Sequence, residues 1–405
     1  MTTRHKQTAP SLRFKGFGGA WEKKTLGEIV EIIGGGTPDT TNPAYWNGDI
    51  DWYSPTEIGE HIYANGSVKK ITSQGLQKSS AKMLPENKTV LFTSRASIGD
   101  MAILTKAGST NQGFQSFVVG KELDIYFLYS MGFKIKEYAL KNASGSTFLE
   151  VSKNKLLKAE LFIPQLPEQA QLGNFFRELD HRITQSRALW EKSRQLKKAM
   201  LTKMFPAVGE TTPKIRFKGF TGEWERKTLG EIAFSYSGGT PSIGNNKFYG
   251  GNIPFIRSGE IHSSKTELFL TQIGLENSSA KLVKKGDILY ALYGATSGEV
   301  GRSQMDGAIN QAILAIIPSE NYDAEFISQW LKANKENIVN LYLQGGQGNL
   351  SGEIVKKIEI SFPSPEEQTA IGNFFRQLDN TIALYALETE KLGRLKKALL
   401  AAMLV

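Results

Sequence analysis

Histidine, the commonest side-chain metal ligand, is scarce in this chain. The four histidines, His5, His61, His181 and His262, do not have the spacing that is typical of metal ligands. The chain has no cysteine, which excludes thiol chemistry, cysteine zinc sites and a disulfide framework and suits a reducing compartment. We therefore expect the histidines to be solvated or hydrogen-bonded structural residues.

Two other short patterns could carry covalent chemistry. Asn42–Tyr45 resembles the Asn-Pro-Pro-Tyr motif of adenine methyltransferases, but its third residue is alanine and no glycine-rich cofactor loop follows a strand. Asp39, Glu86 and Lys88 could form a nuclease-type set of carboxylates and a lysine. The second half of the chain, which repeats the first, has neither pattern; the residues there are Asn245–Phe248, Lys285 and Asp287. The sequence predicts no covalent chemistry by the chain itself.

The repeat covers the whole chain. RFKGFGGAWEKKTLGEI at 13–29 returns as RFKGFTGEWERKTLGEI at 216–232, an offset of 203 residues. After a four-residue deletion the offset becomes 199 and stays there to the end of the chain. Solenoid and propeller repeats have periods of about 20–50 residues, so a unit near 200 residues is too long for either. The sequence predicts two domains, each present twice.

Each repeat joins a globule of mixed α/β structure to a long helix. The globules are interrupted by glycine and proline, and they carry strand-like runs such as KTVLFTS and SFVVG beside helical pieces such as DIYFLYSMGFKIKEYAL. Proline and glutamate in IPQLPEQ and FPSPEEQ indicate the helix starts. The predicted globular domains are residues 1–164 and 213–363. Residues 165–212 are predicted to form a long helix and a linker, and residues 364–405 a second long helix.

Apolar residues at steps of three and four follow each helix start, the spacing of a coiled-coil seam. For one helix alone the stripe would indicate ordinary core. Two long helices, each on the order of 50 Å, both need a partner, and we expect an antiparallel pair with approximate twofold symmetry and a globule near each end. The residues predicted to pair the helices or to dock another subunit are Leu172, Phe176, Leu179, Ile183, Trp190, Leu196, Ile371, Phe375, Leu378, Ile382, Leu392 and Leu395.

The charge of the chain favours a nucleic-acid partner. Lysine and arginine number 49 against 40 aspartates and glutamates, and the sequence pI is near 9.3. The basic residues are spread along the chain, which favours a folded positive surface over a basic tail. The N-terminus has no apolar signal segment and no window is long and apolar enough for a membrane span, so we expect a cytoplasmic protein.

Polar loops lie at matching places in the two globules. Arginine pairs with guanine and asparagine or glutamine with adenine in the major groove, while lysines and backbone amides hold phosphates. Residues alike in both copies should serve the fold or bind phosphates, and residues that differ should read bases; a turn hydrogen bond is the alternative for each. The candidate DNA-binding residues are Thr37, Lys69, Lys70, Ser94, Arg95, Asn111, Gln112, Ser146, Thr240, Arg257, Tyr293, Asn310, Gln311, Gln344 and Gln347.

A resemblance to a known family rests on an ordered set of motifs that appears twice. The set comprises the RFKGF, WE, TLGEI and GGTP openings, the TSRASIG and NQGF loops, the IPQLPEQAQLGNFFRELD and FPSPEEQTAIGNFFRQLD junctions, and the LKKAML and LKKALL helix ends. In this respect the chain resembles, over essentially its full length, the specificity subunit of type I restriction–modification systems.

This resemblance implies a non-catalytic DNA reader with two target recognition domains. Each domain would read half of a bipartite, asymmetric target, and the helices would set the unread gap. Two methyltransferase subunits would dock on the helices and methylate N6 of adenine, and two restriction subunits could join them. S-adenosylmethionine, ATP and magnesium would belong to those partners, with no cofactor or metal in this chain.

Two other functions make different predictions. A stand-alone DNA enzyme would methylate or cleave DNA as the purified chain. A scaffold that bridges proteins through the coiled coil would show no sequence-selective DNA binding. The basic, unlike loops of the two globules favour the specificity subunit.

Overall fold

The computed structural model describes residues 8–145, 149–207, 209–343 and 349–405. The chain divides into two units, one that extends to Arg187 and also contains Leu387–Val405, and one formed by Ala188–Ala386. Each of the two long helices therefore contributes one part to each unit. Within the described ranges, no helix is long and apolar enough to cross a membrane.

The first copy of the repeat alternates short strands with short helices before its long helix. In chain order its elements are β1 (Glu22–Thr25), α1 (Leu26–Ile29), β2 (Val30–Gly34), β3 (Trp46–Tyr53), β4 (Tyr63–Ala64), β5 (Lys69–Ile71), α2 (Ser73–Gln77), β6 (Thr89–Phe92), β7 (Met101–Leu104), β8 (Gly108–Thr110), β9 (Gln115–Val119), α3 (Ile125–Ser130), α4 (Gly132–Asn142), α5 (Lys153–Leu156), β10 (Glu160–Ile163) and α6 (Leu166–Met204).

The second copy has nearly the same order of elements. They are β11 (Glu225–Thr228), α7 (Leu229–Ile232), β12 (Ala233–Ser237), β13 (Tyr249–Ile256), β14 (Leu268–Leu270), α8 (Gln272–Glu276), β15 (Lys281–Val283), β16 (Ile288–Ala291), β17 (Val300–Arg302), β18 (Gly307–Ile309), β19 (Ile313–Pro318), α9 (Ala324–Ala333), α10 (Lys335–Leu343), α11 (Gly352–Lys356), β20 (Glu359–Phe362) and α12 (Pro365–Met403). The predicted fold class, a duplicated α/β globule followed by a long helix, is confirmed.

The sheets of the two copies correspond. In the first unit the strand orders are β2-β9-β6-β7-β4, β5-β3-β8 and β1-β10, and in the second they are β12-β19-β16-β17, β14-β13-β18-β15 and β11-β20. Most pairs are antiparallel, but β3 runs parallel to β8, β4 runs parallel to β7, and β13 runs parallel to β18. The small sheets β1-β10 and β11-β20 join the start of each globule to the strand that leads into its long helix.

Parts of the two long helices run antiparallel within the first unit. Asp180 of α6 forms an ion pair with Lys396 of α12 at 2.5 Å, and Ser186 donates a hydrogen bond to Glu388 at 3.0 Å. The partner's residue number falls as that on α6 rises, so the helices are antiparallel here. Met403, near the end of α12, packs in the same core as Leu172 and Phe176 of α6.

The second unit shows the same direction of pairing. Lys197 of α6 contacts Asp379 of α12 at 2.6 Å, and the ring of Phe205, just beyond α6, stacks on that of Phe375 of α12 with centroids 6.0 Å apart. The predicted antiparallel helix contacts are therefore present within each unit.

The predicted seam residues differ in their burial. Leu172, Phe176, Leu179, Ile371 and Phe375 are buried, and Ile183, Trp190, Leu378, Ile382 and Leu392 are partly buried.

Leu196 and Leu395 are 45% and 48% exposed, more than the other residues of the predicted seam. These two residues occupy matching positions in the repeat, and their role in helix pairing or in docking another subunit stays a prediction.

An arginine anchors the opening of each globule to the first turn of its long helix. Arg13 donates from Nε and Nη2 to the two carboxylate oxygens of Glu168 at 2.6 and 2.7 Å, and also donates to the carbonyl oxygens of Gly18 and Gly19. Arg216 contacts Glu367 in the same way. The Glu168 and Glu367 side chains are only 3% and 1% exposed. The repeated RFKGF segment therefore supplies the cation for a buried carboxylate.

Other repeated motifs are also structural. Thr25 and Glu28 form a capping box at the start of α1, and Thr228 and Glu231 form one at α7. Asn42, the first residue of the methyltransferase-like pattern, accepts a hydrogen bond from the backbone N–H of Ala44 and so closes a short helical turn. We therefore read that pattern as a turn.

Candidate DNA-recognition surface

Three loops of the first unit meet at Ser94. Its backbone N–H donates to the carbonyl of Gly113 at 2.8 Å, and its carbonyl accepts from Val151 N–H at 2.9 Å. The neighbouring Arg95 forms a backbone bridge with Glu150. Ala96 follows with φ of 63°, a left-handed conformation that is uncommon for a residue other than glycine. The TSRASIG and NQGF loops thus lie side by side, together with the loop before α5.

The GGTP loop lies against the same NQGF loop. Gly36 N–H donates to the carbonyl of Thr110 at 2.8 Å, and the hydroxyl of Thr37 donates to the side-chain oxygen of Gln112. A Cβ on Gly35 would lie 1.9 Å from the carbonyl oxygen of Asn111, so only glycine allows this approach. The candidates Thr37, Asn111 and Gln112 are therefore neighbours.

The second unit repeats this arrangement. Leu292 N–H donates to the carbonyl of Ala312 at 2.8 Å, and Leu350 N–H donates to that of Leu292 at 3.0 Å. Thr240 donates to the side-chain oxygen of Gln311 at 2.5 Å, as Thr37 does to Gln112. The framework that carries the candidate residues is thus the same in both units.

The asparagines shared by both copies form turns. The side-chain oxygen of Asn111 accepts from Gly113 N–H at 2.8 Å, and that of Asn310 accepts from Ala312 N–H at 3.1 Å. Each asparagine is partly buried, whereas the following Gln112 and Gln311 are exposed. The turn hydrogen bond accounts for the asparagine, and the exposed glutamine is the residue of the pair that can reach a ligand.

Ser94 and Arg95 both differ from their counterparts in the second copy, but their side chains differ sharply in how accessible they are to a ligand. Ser94 is fully buried, so its side chain is not open to a base, and its predicted role as a base contact is wrong in this conformation. Its backbone joins the loops instead. Arg95 is partly buried, and among the described residues its guanidinium has no carboxylate within ion-pair distance. A cation without a protein partner on this loop remains available to a ligand.

Arg257 is held by its own loop. Its guanidinium contacts Glu260 at 3.0 Å and Glu267 at 2.6 Å. Burial disfavours the charged form of Glu260, but hydrogen bonds from Arg257 and from the backbone N–H of Glu267 outweigh it and lower the pKa of Glu260 to about 2. Arg257 must give up these two carboxylates before it can contact a base.

The remaining candidates vary in exposure. Lys69 is exposed and its ammonium lies 5.9 Å from the centre of the Trp46 ring, whereas Lys70 is paired with the buried Asp51 at 2.7 Å. Tyr293 is partly buried against the core of the second unit. Ser146, Gln344 and Gln347 lie outside the described residues.

One supporting residue was not predicted from the sequence. The indole N–H of Trp52 donates to the carbonyl of Gly36 at 2.8 Å and so fixes the GGTP loop from the adjoining sheet. No pattern along the chain signals this contact, because the two residues belong to different elements. In the described residues no group of three or more histidine, aspartate or glutamate side chains is placed to hold a metal ion.

Comparison with known proteins agrees with this duplicated framework. A family model described as the type I restriction modification DNA specificity domain matches residues 19–190 and again residues 221–394. The chain belongs to this family. It is a type I restriction–modification specificity subunit with two DNA-recognition domains.

Relatives and solved structures are spread over distant organisms. The MjaIX specificity subunit of Methanocaldococcus jannaschii is 28% identical over 302 residues, 69% of this chain and 67% of the relative. The EcoprrI specificity subunit of Escherichia coli is 26% identical and covers 88% of each chain. The crystal structure of the S subunit from M. genitalium matches with a TM-score of 0.68 at 18% identity, over 98% of this chain and 99% of that one. At that identity the structural match supports the fold of the specificity subunit alone.

Proposed function

We propose that this specificity subunit reads a bipartite, asymmetric DNA target without doing chemistry itself. Each recognition domain would read one half of the target, and the long helices would set the unread gap. The observation that carries the proposal is the matched loop framework with unlike residues: Leu292 makes the backbone hydrogen bonds that Ser94 makes in the first domain, so Tyr293 corresponds to Arg95. One framework with different side chains is what two different half-sites require.

The division of labour follows from the chemistry that the chain offers. The proposed domains are residues 1–164 and 213–363 for recognition and residues 165–212 and 364–405 for the spacer. We propose that two methyltransferase subunits bind the helices, supply S-adenosylmethionine and flip the target adenine, while this chain holds the duplex. Restriction subunits with ATP and magnesium would complete the assembly. The net charge of +9 supports phosphate contacts whose affinity falls with salt.

Methylation mapping tests the proposal. The chain is expressed with a candidate methyltransferase subunit in a host without DNA methylation, and N6-methyladenine is mapped by long-read sequencing. We expect a single bipartite motif with a fixed unread gap. Exchange of residues 13–165 for the domain of another specificity subunit should change one half-site and keep the other. A methyltransferase that methylates the same motif without this chain would contradict the proposal.

Docking of the methyltransferase subunits can be tested at the two matched, exposed leucines. Leu196→Asp and Leu395→Asp should each reduce the amount of methyltransferase that copurifies with the chain, because a buried carboxylate without a partner opposes association. The control is Leu282→Asp, which changes a leucine that is 55% exposed on β15 of a globule. Equal retention in all three variants would show that the leucines lie outside the docking surface.

A further inference from the structure

A basic cleft lies in the second unit, away from the candidate recognition loops. Its volume is about 460 Å³, and its lining includes His262, Lys285, Arg302, Glu325, Lys332 and Arg376. These residues come from the β16-β17 hairpin, α9 and the first half of α12, with His262 from the loop after β13. The cleft thus lies between the globule of the second unit and its long helix.

Positive charge in the cleft is only partly compensated. Arg302 contacts Glu325 at 3.3 Å, and Arg376 donates to the side chain of Asn373, a neutral group. Within the described ranges, the ammonium groups of Lys285 and Lys332 have neither a hydrogen-bond acceptor nor a carboxylate within ion-pair distance. Four basic side chains, two lysines and two arginines, therefore line the cleft with one carboxylate, that of Glu325. His262 adds a further cation when it is protonated, although it lies 3.6 Å from Glu299.

The pKa of Lys332 reflects the uncompensated positive charge of the cleft. Burial, together with the positive charges of Lys197 and Arg302, lowers its pKa, although Asp379 and Glu325 act in the opposite direction. A cation that is both partly buried and repelled by its neighbours is stabilised when an anion binds beside it. The geometry of the cleft and the charge of its lining therefore both favour an anionic ligand.

The first copy of the repeat lacks three of these four cations; only Arg376 has a basic counterpart, Arg177, which likewise donates to an asparagine. The residues at the positions of Lys285, Arg302 and Lys332 are Glu86, Ile103 and Phe133. In place of Glu325 stands Tyr126, whose hydroxyl donates to Asp180 at 2.9 Å. The fold of the globule is thus maintained without the three basic residues Lys285, Arg302 and Lys332, which are a property of the second copy.

We propose that this cleft is a phosphate-binding site that belongs to the second unit alone. The phosphate comes from the DNA backbone or from a free phosphate compound, and the first of these sources rests on the function proposed above. Arginine and lysine side chains that converge from separate elements suit the three or more oxygen atoms of a phosphate group. A single neutral ligand would leave the lysines unpaired.

The position of the cleft agrees with a DNA source. Lys285 precedes β16 and Arg302 ends β17, whereas the candidate loop around Tyr293 follows β16. A strand of this length spans about 13 Å at 3.3 Å per residue. The cleft thus lies about one strand length from the loop, and a duplex with a phosphate about every 3.4 Å of helix axis on each strand offers a phosphate at that range.

The test replaces the two unpaired lysines by the residues of the first copy, as Lys285→Glu/Lys332→Phe. A matched control, Lys281→Ala/Lys284→Glu, changes the net charge equally at exposed lysines outside the cleft. Single Lys285→Glu, at an exposed side chain, keeps the test valid where the double variant does not fold. Calorimetry measures the binding of inorganic phosphate to the full chain. Titrations from 50 to 200 mM salt measure the affinity of the chain with its methyltransferase for target DNA.

We expect phosphate binding to the unsubstituted chain and to the control, and its loss in the cleft variants. For a DNA source, the slope of log affinity against log salt should also become shallower by about 0.9, the value of one phosphate contact. An unchanged slope with lost phosphate binding assigns the site to a free phosphate compound. No difference from the control in either measurement overturns the proposal. Loss of the methyltransferase subunit alone would also overturn it, because the cleft would then bind an acidic protein surface.

The two measurements distinguish a failure of the proposed DNA-reading function from a failure of the proposed phosphate site. An unsubstituted complex that does not prefer its target over a scrambled duplex contradicts the proposed function. The calorimetric result with inorganic phosphate does not depend on that outcome.

Discussion

Replacement of Arg216 by alanine should lower the free energy of unfolding of the second unit by about 3–5 kcal/mol, because it leaves a buried carboxylate without its cation. Arg216 contacts both oxygens of Glu367, and the Glu367 side chain is 1% exposed. The substitution also removes the hydrogen bonds to the carbonyl oxygens of Thr221 and Gly222. These contacts hold the RFKGF segment to the first turn of α12.

Denaturant titration with tryptophan fluorescence measures the effect, since Trp224 lies in the core of this unit. The control is Arg226→Ala, because the Arg226 ion pair with Glu359 is more than half exposed on both sides and should contribute less than about 1 kcal/mol. Adding Glu367→Gln to Arg216→Ala should recover part of the stability, since the charge is then gone. A loss no larger than that of the control would show that the Glu367 carboxylate does not depend on Arg216 in the folded chain.

The first unit offers the same test at Arg13 and Glu168, which make the same contacts. We expect Arg13→Ala to destabilise the first unit and Arg216→Ala to destabilise the second. Each substitution should have little effect on the stability of the other unit. Such a pair of results would explain why one chain carries the RFKGF and LPEQ or PEEQ motifs twice. Each copy builds the joint between a globule and its helix, and a buried carboxylate tolerates little change in its partner.

The scaffold of this specificity subunit could be predicted because it depends on local signals. Proline and glutamate at the helix starts, followed by apolar steps of three and four, predicted helices from 165 and 364, and α6 and α12 begin at Leu166 and Pro365. Comparison of the two copies then distinguished structural motifs, which recur in both, from loops whose sequences differ. Capping boxes and glycine contacts recur in both copies because the same backbone geometry recurs.

The candidate recognition residues could be predicted less well, because availability depends on contacts between distant segments. Ser94 follows a buried strand and is covered by the loops that its own backbone joins. Arg257 is neutralised by Glu260, three residues away, and by Glu267 across a turn. Burial and ion pairing of this kind are three-dimensional properties, and residue type alone does not indicate them.

Among the candidates, Arg95 should have the largest effect on which DNA is read. Arg95→Ala should relax the specificity at one base pair of one half-site, with a loss of about 1–3 kcal/mol of discrimination, the value of one bidentate contact. The other half-site should stay unchanged. Methylation mapping of the variant with its methyltransferase, together with titration of duplexes changed at single positions, measures both effects.

Two matched variants show whether Arg95 reads a base or holds a phosphate. Lys69→Ala, at an exposed lysine, should weaken binding to all duplexes alike and reduce the salt slope. Arg257→Ala should relax the other half-site, but by less than Arg95→Ala, because the base contact must compete with two carboxylates that Arg257 already holds. Uniform weakening by Arg95→Ala would place Arg95 on the phosphate backbone. The rule that residues which differ between the two copies read bases would then be wrong.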